Sequence, residues 1–326
     1  MTAPILSICI PTFNRSEFLK DCLKSITTQV SSINDDVEIV VSDNASTDDT
    51  MKIVEEAKKL CHIRYIRNHS NIGAARNILK MVRENAEGDF CWILGDDDLI
   101  KPGGVLSIFN AVKEHSDLDY FYVNYSLHQP DEKHLLLRST ASITWNSVGC
   151  LTDYQGRIDD WRYLVRDDAF GLTPVYASVF RRSEWLKHTI EKDVVGDFFN
   201  VEGTYPHTVV LSRMMPGKPA WQSSYPWVSV FVSQSSWSDF EPLIILKRYF
   251  ELLDLMESSG IDESYLRRHR SRMLSLTGDV VLSLLRGQKF KMLTRRDALI
   301  FAMKYWFNPK FARSIVSAIR SRLAKH

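Results

Sequence analysis

Asp89-Phe90-Cys91-Trp92-Ile93-Leu94-Gly95-Asp96-Asp97-Asp98-Leu99 sets five apolar residues and one glycine before three consecutive carboxylates. A short apolar run that ends in a polar turn reads as a buried strand. Carboxylates crowded at its end repel one another unless a cation or hydrogen-bond donors neutralise them. A hard divalent ion such as Mg²⁺ or Mn²⁺ meets that need through oxygen ligands, often one or two carboxylates plus substrate phosphates. The structural alternative is a helix N-terminus, where acids meet the helix dipole favourably. Pro102-Gly103 just downstream keeps that reading open.

On either side of this stretch, short apolar runs alternate with amphipathic ones. Leu6–Ile10, Glu38–Ser42, Ile63–Arg67, Phe90–Gly95 and Tyr120–Tyr125 read as strands. Ser16–Thr28, Thr47–Lys59, Gly73–Glu84 and Gly104–His115 read as helices, with apolar residues at three- and four-residue spacings. Such alternation predicts an α/β fold whose mostly parallel sheet is covered on both faces. Beyond Asp131 the pattern is less regular: Leu135–Arg138, Val175–Phe180 and Tyr225–Val232 read as strands and Ser183–Glu191 as a helix. After Asp239 the chain reads as wholly helical, over Pro242–Ser258, Glu263–Leu285, Arg295–Phe307 and Pro309–Lys325. The expected division is a catalytic unit over 1–238, with a nucleotide-binding half (1–125) and an acceptor half (126–238), followed by a basic helical region over 239–326.

In open α/β sheets ligands bind beyond the carboxyl ends of the strands. Four polar loops fall there: Pro11-Thr12-Phe13-Asn14-Arg15, Asp43 to Asp49, Asn68 to Gly73, and Asp96-Asp97-Asp98. Ser46 or Thr47 suits an N-cap, with Asp48 and Asp49 in the first turn of the next helix. Asp43 is not explained by capping and is placed to accept hydrogen bonds from a nucleobase or ribose. Asn71-Ile72-Gly73 precedes a helix whose N-terminus can face a phosphate, with Arg76 one turn further on. Arg15 suits a phosphate contact or open solvent.

The chain has 326 residues, 44% hydrophobic and 25% charged, with a net charge of +1. That balance excludes a strongly basic nucleic-acid binder as the default and allows local patches. Cys9, Cys22, Cys61, Cys91 and Cys150 are scattered and form no CxxC pair, so neither a zinc ribbon nor a disulfide framework is indicated. A reducing compartment fits. No signal peptide and no membrane-spanning run is read, so a cytoplasmic protein is expected, with peripheral attachment to the inner face of the membrane left open. There is no GxGxxG after the first strand, no GxxxxGK[ST] and no GxSxG, which argues against a dinucleotide dehydrogenase, a P-loop ATPase and a nucleophile-elbow hydrolase.

Taken together, Leu6–Arg15 (LSICIPTFNR), Val40–Thr50 (VVSDNASTDDT), Asn68–Asn77 (NHSNIGAARN) and Asp89–Leu99 (DFCWILGDDDL) resemble the family 2 glycosyltransferases of the GT-A fold, in order and spacing, across roughly Leu6 to Tyr125. Gly203-Thr204-Tyr205-Pro206-His207 more weakly resembles a segment of bacterial O-antigen glycosyltransferases of the abequosyltransferase type. The resemblance implies a GT-A, Rossmann-like fold and transfer of a hexose or deoxyhexose from a nucleotide-diphosphate donor to a hydroxyl of a glycan. It implies O-antigen-like lipopolysaccharide biosynthesis and an inverting displacement, and a lipid-linked acceptor fits the basic C-terminal tail described below. It implies that Pro11, Thr12, Asn14 and Arg15 line the donor pocket and that Asp43 binds the nucleoside; Asn71, Gly73 and Arg76, read above from the helix N-terminus, are counted with these donor-binding residues. The aspartates become a DxD-type motif holding Mg²⁺ or Mn²⁺ on the donor diphosphate. Gly95 stands where the family's first Asp usually falls. The metal therefore goes to Asp97 with help from Asp98, leaving Asp96 to the donor, or to a shifted pair of Asp96 and Asp98; the first is preferred.

Family members usually carry the catalytic base as an acid, commonly a Glu-Asp pair, before a helix in the acceptor half. This chain has no such pair near 200, and the candidates are His207, Asp197 and Glu202, in that order. The C-terminal tail from Arg286 to Lys325 carries eleven Lys and Arg against Asp297, interleaved with Tyr305, Trp306, Phe307 and Phe311. A basic amphipathic helix with aromatic anchors can lie on an anionic membrane; the alternative is a solvated face whose aromatics pack on the core. The rest of the chain gives no support to nucleic acid as a partner of this tail. Two other functions stay open: a nucleotidyltransferase, for which Pro11–Arg15 lacks the Gly-rich first loop, and a non-catalytic glycan- or partner-binding homologue.

Overall fold

A computed structural model describes residues 3–30, 33, 35–128, 154–167, 173–231 and 238–323. The expected strand Leu135–Arg138 and Cys150 lie outside them. Strands β1 (Leu6–Thr12), β2 (Val37–Asp43), β3 (Ile63–Arg67) and β4 (Phe90–Ile93) run parallel and alternate with helices α1 (Ser16–Thr27), α2 (Thr50–Ala57) and α3 (Ala74–Lys80). A π turn, Met81–Asn85, extends α3. β1, β2 and β4 read as near-continuous apolar runs because helices cover both of their faces. Parallel register, from Leu6 opposite Val37 to Thr12 opposite Asp43, brings the polar ends of these strands to one rim.

The chain continues through β5 (Leu99–Ile100), α4 (Gly104–Glu114), β6 (Tyr120–Tyr122), β7 (Tyr125–His128), β8 (Gly156–Ile158), α5 (Arg162–Asp167), β9 (Ser178–Arg181), α6 (Arg182–Lys187), α7 (Val201–Thr204), α8 (Pro206–Met214), β10 (Ala220–Gln222) and β11 (Val228–Phe231). The eight-stranded sheet has the order β3-β2-β1-β4-β9-β6-β10-β8. β9 is antiparallel to β4 and β6, and β8 to β10; the other six strands share one direction. A second sheet, β5-β11-β7, stands beside the aspartate stretch.

Several expectations are corrected here. The single strand expected over Tyr120–Tyr125 is two strands in two sheets. Between them Val123 N–H bonds Ala177, Asn124 Nδ2 bonds the Ser224 carbonyl, and Asn124 Oδ1 accepts from Tyr125 N–H, which steers the chain out of the central sheet. Val175–Ala177 is a 3₁₀ turn and the strand begins at Ser178. The strand expected from Tyr225 starts at Val228. Helix α2 starts at Thr50 with Asp49 as N-cap, so Asp48 and Asp49 precede it. Asp48 instead accepts from Ser16 N–H at the start of α1 and from Thr50 N–H and Oγ1 at the start of α2, serving two helices at once.

The helical region enters through Glu241–Leu243 and a π turn, Ile244–Arg248, into α9 (Tyr249–Ser258), then α10 (Glu263–Leu285), α11 (Arg295–Tyr305) and α12 (Pro309–Leu323). Thr294 and Asp297 close a capping box at the start of α11. α12 crosses α10 at Gly278, where a Cβ would stand 2.3 Å from the Ser314 carbonyl carbon. Only glycine allows the two backbones so near. Phe250, Phe301, Tyr305 and Phe311 interlock at centroid distances of 4.7–5.6 Å, so Phe301, Tyr305 and Phe311 pack inward. Among the described residues no helix is long and apolar enough to cross a membrane.

Candidate functional site

Side-chain bonds knit the four rim loops together. Asn14, held at a left-handed φ of 53°, donates its backbone N–H to Ser46 Oγ and accepts from Thr47 N–H at 2.7 Å, tying the first loop to the second. Asn44 joins the second to the third: its Nδ2 donates to Asn71 Oδ1, and its Oδ1 accepts from Ile72 N–H and Asn68 Nδ2. Asn71 Oδ1 also accepts from Gly73 N–H. Thr12 and Arg15 join the first loop to the fourth.

That last junction is the electrostatic centre. Thr12 Oγ1 donates to Asp96 at 2.8 Å; Arg15 Nε donates to the other Asp96 oxygen at 2.7 Å, and Arg15 Nη2 to Asp97 at 2.5 Å. Phe18, in the first turn of α1, backs the guanidinium, 4.5 Å from ring centroid to Cζ. Asp96 and Asp98 are buried while Asp97 is partly open. Burial pushes the Asp96 carboxyl up to about 6, against the pull of Arg15 and with the Asp97 charge adding to the rise. Burial, then the Asp97 charge, raise Asp98 well above the usual carboxylate range, although it accepts from Gly95 N–H at 3.0 Å.

A divalent cation fits this donor set. A Cβ on Gly95 would stand 2.7 Å from an Asp98 oxygen and 2.9 Å from an Asp97 oxygen, so two carboxylates converge on the space that glycine leaves. Arg15 supplies one positive charge to three acids, which leaves the cluster short of cation. Among the described residues no three His, Cys, Asp or Glu side chains form a self-sufficient metal centre. An ion that keeps substrate phosphate oxygens in its shell needs only one or two carboxylates.

The remaining candidates lie as follows. Pro11 is half-buried within β1. Asp43 is buried with both oxygens bonded: Oδ1 accepts from Ser46 N–H at 2.8 Å and Oδ2 from Tyr65 Oη at 2.6 Å, with Arg67 Nε 3.5 Å away. Burial and this bond raise the Tyr65 hydroxyl pKa. The N-terminus of α3 meets a protein carboxylate: Asp197 accepts from Ala74 N–H at 2.8 Å and Ala75 N–H at 3.0 Å, and it also packs on Gly73. Arg76 Nη2 reaches the Val194 carbonyl at 2.8 Å. Together these clasp the 194–200 loop to the donor-side rim.

Glu202 lies in the first turn of α7, one of its oxygens accepting from Asn200 Nδ2 at 2.6 Å. Asn200 also caps α7 through Gly203 N–H. His207 is buried at the start of α8, its Nε2 3.2 Å from Thr208 Oγ1. Arg248 supports this loop from behind, donating to the carbonyls of Phe198 and Phe199.

Sequence reasoning gave no role to Asn44, Tyr65 or Phe18, and read Ser46 only as an N-cap candidate. Ser46 and Asn44 lie inside a stretch already singled out, so position alone could have flagged them. Tyr65 and Phe18 carry no local signal, since their partners are 22 residues distant or depend on where Arg15 points.

The Glycosyl transferase family 2 profile matches residues 7–180. The abequosyltransferase RfbV of Salmonella typhimurium is 39% identical over 116 residues, which cover 35% of this chain and 34% of that protein. A GalNAc(5)-diNAcBac-PP-undecaprenol beta-1,3-glucosyltransferase of Campylobacter jejuni is 33% identical over 112 residues, 34% of this chain and 35% of that protein. These matches span about a third of each relative's length. The crystal structure of S. aureus TarS 1-349 in complex with UDP-GlcNAc superposes with a TM-score of 0.57 at 14% identity, over 97% of this chain and 81% of that one. The TarS likeness is one of fold: a mostly parallel central sheet of GT-A type with a helical C-terminal region. The profile takes in the first-, second-, third- and fourth-strand loops that build the rim, and it spans more than half of the chain, which therefore belongs to glycosyl transferase family 2.

Proposed function

We propose that this protein transfers a hexosyl or deoxyhexosyl group from a nucleotide-diphosphate donor to a hydroxyl of a glycan, in the assembly of an O-antigen-like surface polysaccharide. The observation that carries this reading is the junction of Thr12 and Arg15 with Asp96 and Asp97 at the rim, beside the buried Asp98. Thr12, Asn14, Arg15 and Asp96 shape the donor pocket, and the Asp43–Tyr65–Arg67 group fixes the nucleoside side of the rim. Asp97, with Asp98, would hold Mg²⁺ or Mn²⁺, which when bound supplies positive charge to the diphosphate as it leaves. Arg15, one bond away from the same acids, is placed to add its own charge to that leaving group.

The acceptor hydroxyl must lose a proton as it attacks, in a single displacement with inversion. A general base needs an oriented carboxylate or imidazole with a lone pair to spare. Asp197 has both oxygens committed to α3, and His207 is buried. Glu202 has one oxygen steadied by Asn200 and the other without a hydrogen-bond partner among the described residues. We therefore place Glu202 first as base, His207 second, and Asp197 as the clasp that orients their loop. The acceptor is proposed to be lipid-linked, which would bring the enzyme to the inner face of the membrane.

The test is a thermal-shift screen of UDP, GDP, CDP and dTDP with and without Mn²⁺, followed by turnover of the matching nucleotide sugar. A ligand that binds only the folded state raises its melting point. One nucleotide that stabilises the protein, more so with Mn²⁺, and whose sugar conjugate is consumed, supports the reading. No response to any of the four would overturn it in favour of a non-catalytic homologue. Release of pyrophosphate from a nucleoside triphosphate and a sugar phosphate would point to a nucleotidyltransferase.

A further inference from the structure

Helix α11 is apolar on two opposite sides. At about 3.6 residues per turn, Ala298, Phe301, Ala302 and Tyr305 fall on the inner side of α11, which packs on α10 and meets Phe250 of α9 and Phe311 of α12. Leu299, Ile300 and Met303, continued by Trp306 and Phe307 just past the helix end, fall on the other. That second side is bare: Met303 is 72% exposed, Trp306 65% and Phe307 96%. α12 repeats the arrangement more weakly. Phe311, Ser314 and Ala318 face inward, while Val316, Ile319 and Leu323 form an exposed stripe. A helix with one packed and one bare apolar face has a partner still to meet.

The charges around the bare face identify that partner. Arg296 and Lys304 flank the α11 stripe, and Arg313 and Arg320 border the α12 stripe, with Lys310 between the helices. All five are exposed, and among the described residues none pairs with a carboxylate. The acids nearby are already engaged: Asp297 in the capping box and near Lys247, and Asp279 with Arg322. An apolar centre within a collar of unpaired cations fits the interface of an anionic bilayer, where the apolar side chains enter the acyl boundary and the cations meet phosphate headgroups.

We infer that the α11–α12 face is a membrane-docking surface with Trp306 and Phe307 as its inserted tip, bound to anionic phospholipid. This goes beyond the transferase reading and does not depend on it, because it uses no residue of the rim. Aromatic residues at the tip suit the site, since the Trp306 indole settles at the headgroup level and the Phe307 ring enters the acyl boundary. The structure also corrects the simpler expectation of four anchoring aromatics: Tyr305 and Phe311 belong to the core of the helical region.

The experiment is co-sedimentation of the full chain with vesicles of phosphatidylglycerol and phosphatidylethanolamine, and with vesicles of phosphatidylcholine alone. The wild type should bind the first and not the second, and should be released by high salt. Trp306→Ser with Phe307→Ser, and separately Arg313→Glu with Arg320→Glu, should each lower vesicle affinity by about ten-fold or more. Neither pair should shift the melting temperature appreciably, since all four side chains are exposed. The inference is overturned by a folded wild type that ignores anionic vesicles, or by a Trp306/Phe307 variant that binds them as well as wild type. Light scattering that shows a dimer which the same variant dissociates, without vesicle binding, also overturns it by making a second copy the occupant. Asp97→Ala should bind vesicles like wild type, which keeps this outcome separate from the catalytic one.

Discussion

Replacing Asp96 by Asn should make the protein more stable at neutral pH and leave it unchanged in acid. Asp96 is buried, and its carboxyl titrates near 6 in place of 3.8, with burial the largest cause and the Arg15 guanidinium opposing it. The folded state thus holds the Asp96 proton more tightly than the unfolded chain does. Between pH about 4 and about 6 the native protein carries more protons at this site than the unfolded one, so stability falls as pH rises through that window. A tenfold tighter hold on a proton corresponds to about 1.4 kcal/mol, so an ionised Asp96 costs the fold about 3 kcal/mol at pH 7. Asn stands in for the protonated acid. It keeps an oxygen for Thr12 and removes the charge. The measurement is urea unfolding of wild type and Asp96→Asn at a series of pH values. Their difference cancels the titration of distant groups and reports Asp96 together with its coupling to Asp97 and Asp98. The gap should be near zero below pH 4, open between 4 and 6, and level off at up to about 3 kcal/mol in favour of Asn. A gap independent of pH, or a wild type more stable at pH 7, would refute the burial argument. If the gap appears, the protein carries an unfavourable ionised group at its rim, as binding sites commonly do at some expense of stability.

Other substitutions probe other parts of the rim. Asp97→Ala should abolish the Mn²⁺-dependent part of nucleotide stabilisation in thermal shift; retention of the full metal effect would move the ion elsewhere. Glu202→Gln should lower turnover by about 10²–10⁴-fold while nucleotide binding persists. A larger loss from His207→Gln than from Glu202→Gln would reverse the assignment of the base. Asp197→Ala leaves the Ala74 and Ala75 amides without their acceptor and should cost about 1–2 kcal/mol in chemical denaturation; an unchanged midpoint would show that the clasp contributes nothing to the fold. Gly95→Asp forces a Cβ to within 3 Å of two carboxylate oxygens and adds a fourth acid. It should destabilise by about 2 kcal/mol or more, with a partial recovery in Mn²⁺ that calorimetry would detect.

The first half of this molecule is legible along the chain. Leu6–Thr12, Val37–Asp43 and Phe90–Ile93 are apolar runs long enough only for strands buried on both faces, and amphipathic helices separate them. Parallel pairing then has to deliver Thr12, Asp43 and Asp96 to a single rim. The carboxylate run after β4 needed no structure to be noticed, since three adjacent acids at a strand end are costly wherever they fall. The helices of the last third were legible for the same local reason, and Glu263–Leu285 is bounded as its periodicity indicates.

Whatever depends on partners distant in sequence waits for the folded chain. Asp197 and Ala74 are 123 residues apart, so nothing local could show that this acid caps α3 and has no oxygen to spare. Arg15 could as well have met solvent; it meets Asp96 and Asp97 because β1 and β4 are neighbours in the sheet. Tyr120–Tyr125 looked like one strand because its composition is uniform, and Ala177 and Ser224 split it from across the fold. The same holds for the tail, where Phe311 and Phe307 are equally apolar in sequence, yet one is buried against Phe301 of α11 where α12 packs on α10 and the other projects freely. Periodicity and local charge act over a turn or two and can be read along the chain, whereas burial and pairing are set by whichever distant segments the sheet order brings alongside.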